Sequence, residues 1–185
     1  MSPYEDRLAG HTLVTAALGS TSDSELIELL GQRARPRVGI GGSTQAIRIA
    51  GKPVFVKLVR ITDLERAAGS GCTANLFDLP TWYQYGVGEG SAGFNAWREV
   101  AAHQSACDWV LNGECANFPL LYHWRELPQQ KSAEAATDTA HIDRAVQFWG
   151  NSIAVETRLR ALAELSRAPW LRCSSNTFRS CFVAG

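Results

Sequence analysis

No segment of the chain approaches the ~20 consecutive apolar residues that a membrane span requires. The N-terminal run Met1-Ser2-Pro3-Tyr4-Glu5-Asp6-Arg7 lacks the basic-then-apolar order of a secretion signal, so the expectation is a cytoplasmic chain without a membrane partner. Charge of neither sign is in excess: Lys and Arg total 18, and Asp and Glu total 18. A generic basic surface for nucleic acid is therefore not indicated. The five cysteines (Cys72, Cys107, Cys115, Cys173, Cys181) are odd in number and contain no C-x-x-C pair. That spacing argues against a zinc site or a disulfide framework and leaves core residues or free thiols. With 45% hydrophobic and 19% charged residues over 185 positions, the composition is that of a globular chain, one domain or a domain with an appendage.

What is present centres on Val38–Arg60 (V-G-I-G-G-S-T-Q-A-I-R-I-A-G-K-P-V-F-V-K-L-V-R). A glycine turn (Gly39, Gly41, Gly42) leads into Ser43 and Thr44. Ile47 and Ile49 alternate with Arg48 at strand period over Ala46–Ala50. Gly51-Lys52-Pro53 is a turn signal. Val54–Arg60 is β-branched and apolar apart from Lys57, a charge placed mid-strand where burial is costly. A hairpin folds the glycine turn back over this second strand and lets Lys57 point beneath the glycines. Glycines admit close approach of backbone N–H groups to phosphate oxygens, and a strand lysine adds a compact positive charge. The alternative on this stretch alone is an ordinary hairpin with a solvent-facing lysine. A Walker loop is absent, because no lysine follows the glycines directly.

Upstream, residues 4–17 read as a helix with Leu8, Leu13, Val14 and Ala17 on one side. Ser22-Asp23-Ser24-Glu25 is a capping box opening a second helix over Glu25–Gln32. Ile61–Gly93 is rich in turns, and its aromatic segment Asn75–Tyr85 is expected to pack as an ordered excursion, with Trp82, Tyr83 and Tyr85 in the core. Phe94–Asn112 is the strongest central helix, with Ala96, Val100, His103, Cys107, Val110 and Leu111 on one inward stripe. Glu99 falls on that stripe and needs a partner. Lys57 is the candidate, with a surface arrangement with Arg98 or His103 as the alternative; His103 itself reads as packed or hydrogen-bonded rather than as a ligand. Phe118–Leu127 reads as a strand, residues 129–140 as a loop or frayed helix start, and two further helices follow, one marked by Ile142, Ala145, Val146 and Trp149 and stopped at Gly150-Asn151. The other is marked by Val155, Leu159, Leu162 and Ser166 and laced by Glu156–Arg160 and Arg160–Glu164 pairs.

The order of helical cap, Gly-rich hairpin, lysine strand, glutamate-bearing helix and further strand resembles the N-terminal lobe of a protein kinase. The sequence is similar to an actinobacterial group of kinase-like proteins through Val54-Phe55-Val56-Lys57, Asn75–Gly88, Phe94–His103 and Phe118–Leu127, over about residues 3–168. The resemblance implies an α+β fold, a kinase-like N-lobe built of a small antiparallel sheet with a central helix, plus N-terminal helices and a C-terminal helical pair. It implies a helical cap at 1–35, the lobe at 36–127, a helical insertion at 128–168 and an aberrant, disordered tail at 169–185. It further implies that Gly39, Gly41, Gly42, Ser43 and Thr44 cover ATP phosphates, that Lys57 contacts them, and that Glu99 holds Lys57 by an ion pair. ATP and Mg²⁺ are the implied cofactors.

The chain departs from that family in its chemistry. No H-R-D-L-x-x-x-N or D-F-G is present, so the aspartate that positions an acceptor hydroxyl and the magnesium ligands are missing. Asp138 and Asp143, the aspartates nearest the C-terminus, lie in a helical segment and are poor substitutes. Pro169–Gly185 is aperiodic, where kinase-like relatives would continue with an apolar strand and hinge. Under one permissible codon choice, Trp170–Ser180 read two bases later gives V-A-V-F-L-E-Y-I-P-Q, so a frameshift near Ala168 is expected to have truncated a longer kinase-like protein. The expected function is a truncated kinase-like phosphotransferase lobe, inactive alone. The rivals are a pseudokinase or small binding module docking a protein partner through Phe77–Tyr85, and a structural domain with no nucleotide site. Lacking its tail strand, the sheet is expected to expose an apolar edge suited to self-association.

Overall fold

The computed structural model describes residues 2–31, 37–39, 42–85, 93–127, 140–166 and 180–184; at 37–39, 42–43, 84–85, 165–166 and 180–184 it describes the backbone alone. The chain is α+β, with six α-helices and one antiparallel five-stranded sheet among these residues.

Helix α1 (Pro3–Ser20) starts at Ser2, whose hydroxyl accepts from the Glu5 amide while the Glu5 carboxylate accepts from the Ser2 amide. Helix α2 (Asp23–Gly31) opens with the expected box at Ser22 and Glu25. Strand β1 (Arg37–Gly39) pairs with β2 (Gly42–Ile49), and β2 pairs with β3 (Lys52–Val59). The turn between β2 and β3 is Ala50-Gly51, with φ of 48° and 77° at the two residues. Two successive left-handed residues suit the right-handed twist of a hairpin. Lys52 and Pro53, expected in that turn, belong to the strand instead.

Helix α3 (Asp63–Ala68) begins at Thr62 and was not expected from the sequence. A 3₁₀ turn spans Thr81–Tyr85. Helix α4 (Ala96–Leu111) precedes β4 (Leu121–Glu126), and α5 (Ala140–Phe148) and α6 (Ile153–Ser166) pack against each other. Gly150 and Asn151, at φ of 69° and 59°, separate them as expected.

Strand β5 (Ser180–Ala184) corrects the expectation of a structureless tail over these five residues. The sheet order is β1-β2-β3-β5-β4, so β5 lies between β3 and β4 and pairs with both. The tail strand whose absence was expected to leave an open apolar edge is thus supplied by Ser180–Ala184. A run of Cys, Phe and Val suits a pleated interior position, and two flanking ladders satisfy its backbone. On the outer side of β4, α1 covers the edge: Thr15 Oγ1 donates to the Tyr122 carbonyl at 2.9 Å, and His11 Nε2 lies 3.0 Å from that of Leu121.

The sheet carries a core on each face. Val54, Val56 and Leu58 of β3, with Ile47 and Ile49 of β2, pack against Val14 and Leu18 of α1 and Leu26 of α2. Leu13, expected on that inward side of α1, faces outward. On the opposite face Val59, Leu121 and Trp124 meet Trp97, Val100, Cys107 and Val110 of α4. A third cluster joins Leu79 and Tyr83 to Val155 and Trp149. Tyr83 is fully buried there, as expected, whereas Trp82 is 63% exposed and leaves the core.

Candidate functional site

Alternation along β3 decides where Lys57 points. Val56 and Leu58 face the α1–α2 core, so Lys57 projects from the other face with Phe55 and Val59. Val59 is buried with the α4 residues, while Phe55 is half exposed. Lys57 thus stands at the boundary between the covered and open parts of this face.

The ladder registers Thr44 of β2 directly opposite Lys57, and Ser43 opposite Leu58. Gly42 pairs with Gly39 across β1 and β2. Two strand positions separate Thr44 from Gly42, so the glycine pair lies about 7 Å along β2 from the residue facing Lys57. Gly41 lies outside the described residues. Ser43 and Thr44, expected to follow a turn, are ladder residues of β2.

Helix α4 is set in place by its first turn. The Asn95 side chain accepts from the Trp97 amide at 2.6 Å and donates to the Cys72 and Ala74 carbonyls at 2.8 and 3.1 Å. The Trp97 indole N–H donates to the Glu65 carbonyl at 2.7 Å, and its ring meets Trp124 edge-on at 5.9 Å between centroids. With Trp97 on one shoulder of the buried stripe, Glu99 and His103 fall on the other.

Lys57 Nζ donates to Glu99 Oε1, closing an ion pair between β3 and α4 across 42 residues of sequence. The side chains are 24% and 29% exposed. His103 Nε2, one turn further along α4, lies 3.8 Å from the same Glu99 oxygen. Both partners named for Glu99 from the sequence, lysine and histidine, therefore meet it together. Arg98 instead stacks over the Phe94 ring at 4.9 Å. Burial pushes the Glu99 carboxyl up, but the His103 ring and the Lys57 ammonium together outweigh it and hold the carboxyl below its usual range.

Asp143 is exposed on α5 and 3.4 Å from Arg160 Nη2, and Asp138 lies outside the described residues. Among the described residues no group of three or more His, Cys, Asp or Glu side chains could hold a metal ion. Cys107, on α4, is buried against the Leu121 carbonyl at 3.6 Å; burial pushes its thiol up and away from reactivity.

A second ionic cluster was missed from the sequence. Glu65 is fully buried and its two oxygens accept from four directions. Oε2 takes the Thr62 amide at 2.8 Å and hydroxyl at 2.7 Å; Oε1 takes the Ala96 amide at 2.9 Å and Arg158 Nη1 at 3.1 Å. The guanidinium of Arg158 also lies over the Phe77 ring at 5.2 Å. One carboxylate thus joins the start of α3, the start of α4 and the middle of α6. Two signals were present: the capping box Thr62-Asp63-Leu64-Glu65, and an arginine on the apolar stripe of Val155, Leu159 and Leu162.

No protein-family model matches the chain, and comparison with curated proteins and with solved structures finds no match.

Proposed function

We propose that the chain is a kinase-like lobe that binds a nucleotide through its phosphates at Lys57 and does not transfer phosphate by itself. The ion pair between a mid-strand lysine and a carboxylate on the neighbouring helix carries this reading. Glu99 fixes the ammonium at the border of an open sheet face instead of letting it range through solvent. The paired glycines at 39 and 42 close the neighbouring β1–β2 hairpin, whose second strand pairs with the strand of Lys57, and present backbone that an anion can approach. ATP is the proposed ligand. Phosphoryl transfer also needs an aspartate that positions the acceptor hydroxyl and side chains that hold magnesium against the phosphates, and the sequence carries neither the H-R-D-L-x-x-x-N nor the D-F-G motif that supplies them.

The test is equilibrium dialysis of ATP against wild type and Lys57→Ala, with and without Mg²⁺. Loss of a charge-assisted contact is expected to weaken binding about tenfold or more. Equal binding by both proteins contradicts the reading.

One observation favours a second reading, a module that docks a protein partner. Trp82 is 63% exposed beside the fully buried Tyr83, so an anchored turn presents a large free indole. Such a module would be indifferent to ATP and to Lys57→Ala, and would lose its partner on Trp82→Ala.

A further inference from the structure

We propose that α6 is a brace that sets Glu99 against Lys57, and that Glu65 and Arg158 are positioning residues of the phosphate site. The inference rests on the phosphate-binding reading above and deepens it. It begins from spacing. Arg60 follows β3 three residues past Lys57, and its Nη1 donates to the Leu162 carbonyl of α6 at 3.1 Å. Ala96 precedes Glu99 by three residues on α4, and its amide donates to Glu65 Oε1 at 2.9 Å. The same oxygen takes Arg158 Nη1 from α6 at 3.1 Å. Arg158 and Leu162 lie one turn apart on one face of α6. A single helix therefore grips both the strand of Lys57 and the helix of Glu99, each within about 10 Å of chain from the ion pair.

Stability alone does not call for charges at this junction. Apolar residues of similar volume often replace a buried ion pair without loss. Arg158 is 2% exposed, and among the described residues its Nε finds no hydrogen-bond partner, which is a cost and not a gain. What the ionic link adds is direction. Apolar faces tolerate sliding of one helix on another, whereas Glu65 must meet donors from Thr62, Ala96 and Arg158 at set lengths and angles. The Trp97 indole, donating to the Glu65 carbonyl, ties down the same turn of α4. Glu99 is one turn further along and moves with Ala96, so a shift of about 1–2 Å at Ala96 is enough to open its contact with Lys57. Glu65 and Arg158 thus act on the ammonium through α4, without touching it.

The experiment reads the ion pair itself. Acetylation of Lys57 by N-hydroxysuccinimidyl acetate, without ATP, is followed by peptide mass spectrometry, with the exposed Lys52 of the same sample as reference. Glu99→Gln defines the rate of a released Lys57, expected about fivefold above wild type, the upper range for a partly exposed pair. The double variant Glu65→Leu/Arg158→Leu strands no charge, yet it removes the acceptor of the Ala96 amide. It is expected to acetylate Lys57 near the Glu99→Gln rate while melting above either single variant. Glu65→Gln is a milder second variant that can still close the Thr62 box, and it too is expected to acetylate Lys57 faster than wild type. A merely structural role would return Lys57 to the wild-type rate as the double variant regains stability. ATP added to wild type supplies the other arm, and slowed acetylation of Lys57 is expected. Wild-type rates in both brace variants, or in Glu99→Gln, with ATP protection intact overturn this inference alone. Acetylation of Lys57 that ATP leaves unchanged overturns the phosphate-binding reading, and the site role of the brace with it.

Discussion

Arg158 and Glu65 form an ion pair with both side chains out of water, 3% and 0% exposed, across 93 residues of sequence. Removing one partner of such a pair leaves the other charged and unpaired in the interior, which costs about 3–5 kcal/mol. Arg158→Leu and Glu65→Leu are each expected to lower stability by about that amount in urea denaturation. The double variant is expected to lose less than the sum of the two, because it strands no charge. Strict additivity would contradict the pairing.

The Ala50-Gly51 turn predicts a gain. Ala50 holds φ of 48°, a region its Cβ disfavours, whereas Asn or Gly occupies it readily. Ala50→Asn or Ala50→Gly is expected to stabilise the chain by about 0.5–1 kcal/mol, read as a raised melting temperature. A loss of stability would mean that this turn takes another form.

Acid should expose the Glu99 contact. A carboxyl held below its usual range in the folded state adds stability above that range, and the contribution disappears as pH falls through the depressed folded value. Wild type is therefore expected to lose stability more steeply than Glu99→Gln on acidification below about pH 5. Urea midpoints collected over that interval decide it, and parallel curves would contradict the coupling.

The 3₁₀ turn separates two neighbours. Tyr83 is fully buried and meets the Trp149 ring at a tilt of 60° and 4.9 Å between centroids, whereas Trp82 is largely in solvent. Tyr83→Ala is expected to cost about 3–5 kcal/mol and Trp82→Ala less than about 0.5 kcal/mol, by thermal denaturation. A costly Trp82→Ala would show that the indole is packed.

Much of this arrangement was legible because it is local. The period-two run of β2, the apolar run of β3, the α4 stripe apart from the exposed Leu111 and the Gly150-Asn151 stop each follow from a few adjacent residues. Lys57 and Glu99 could be paired in advance because each was a charge on an otherwise apolar stretch. Glu65 and Arg158 escaped because the short α3 offers little periodicity, and the carboxylate's partner lies on a helix far along the chain. Ser180–Ala184 escaped for a different reason. Five apolar or small residues after a basic, aperiodic segment gain strand character only from the two ladders that flank them. Leu13 and Trp82 turned outward because apolar type does not by itself assign a face.

The chain has only three lysines, Lys52, Lys57 and Lys131, which makes the phosphate-binding claim directly measurable. An acyl-phosphate derivative of ATP acylates whichever amine lies against its phosphates and releases ATP, and peptide mass spectrometry then identifies the modified residue. Labelling at Lys57 that free ATP suppresses, with Lys52 and Lys131 left near background, is the predicted result. Labelling spread over Lys52 and Lys131, or a Lys57 signal that free ATP leaves unchanged, would contradict it.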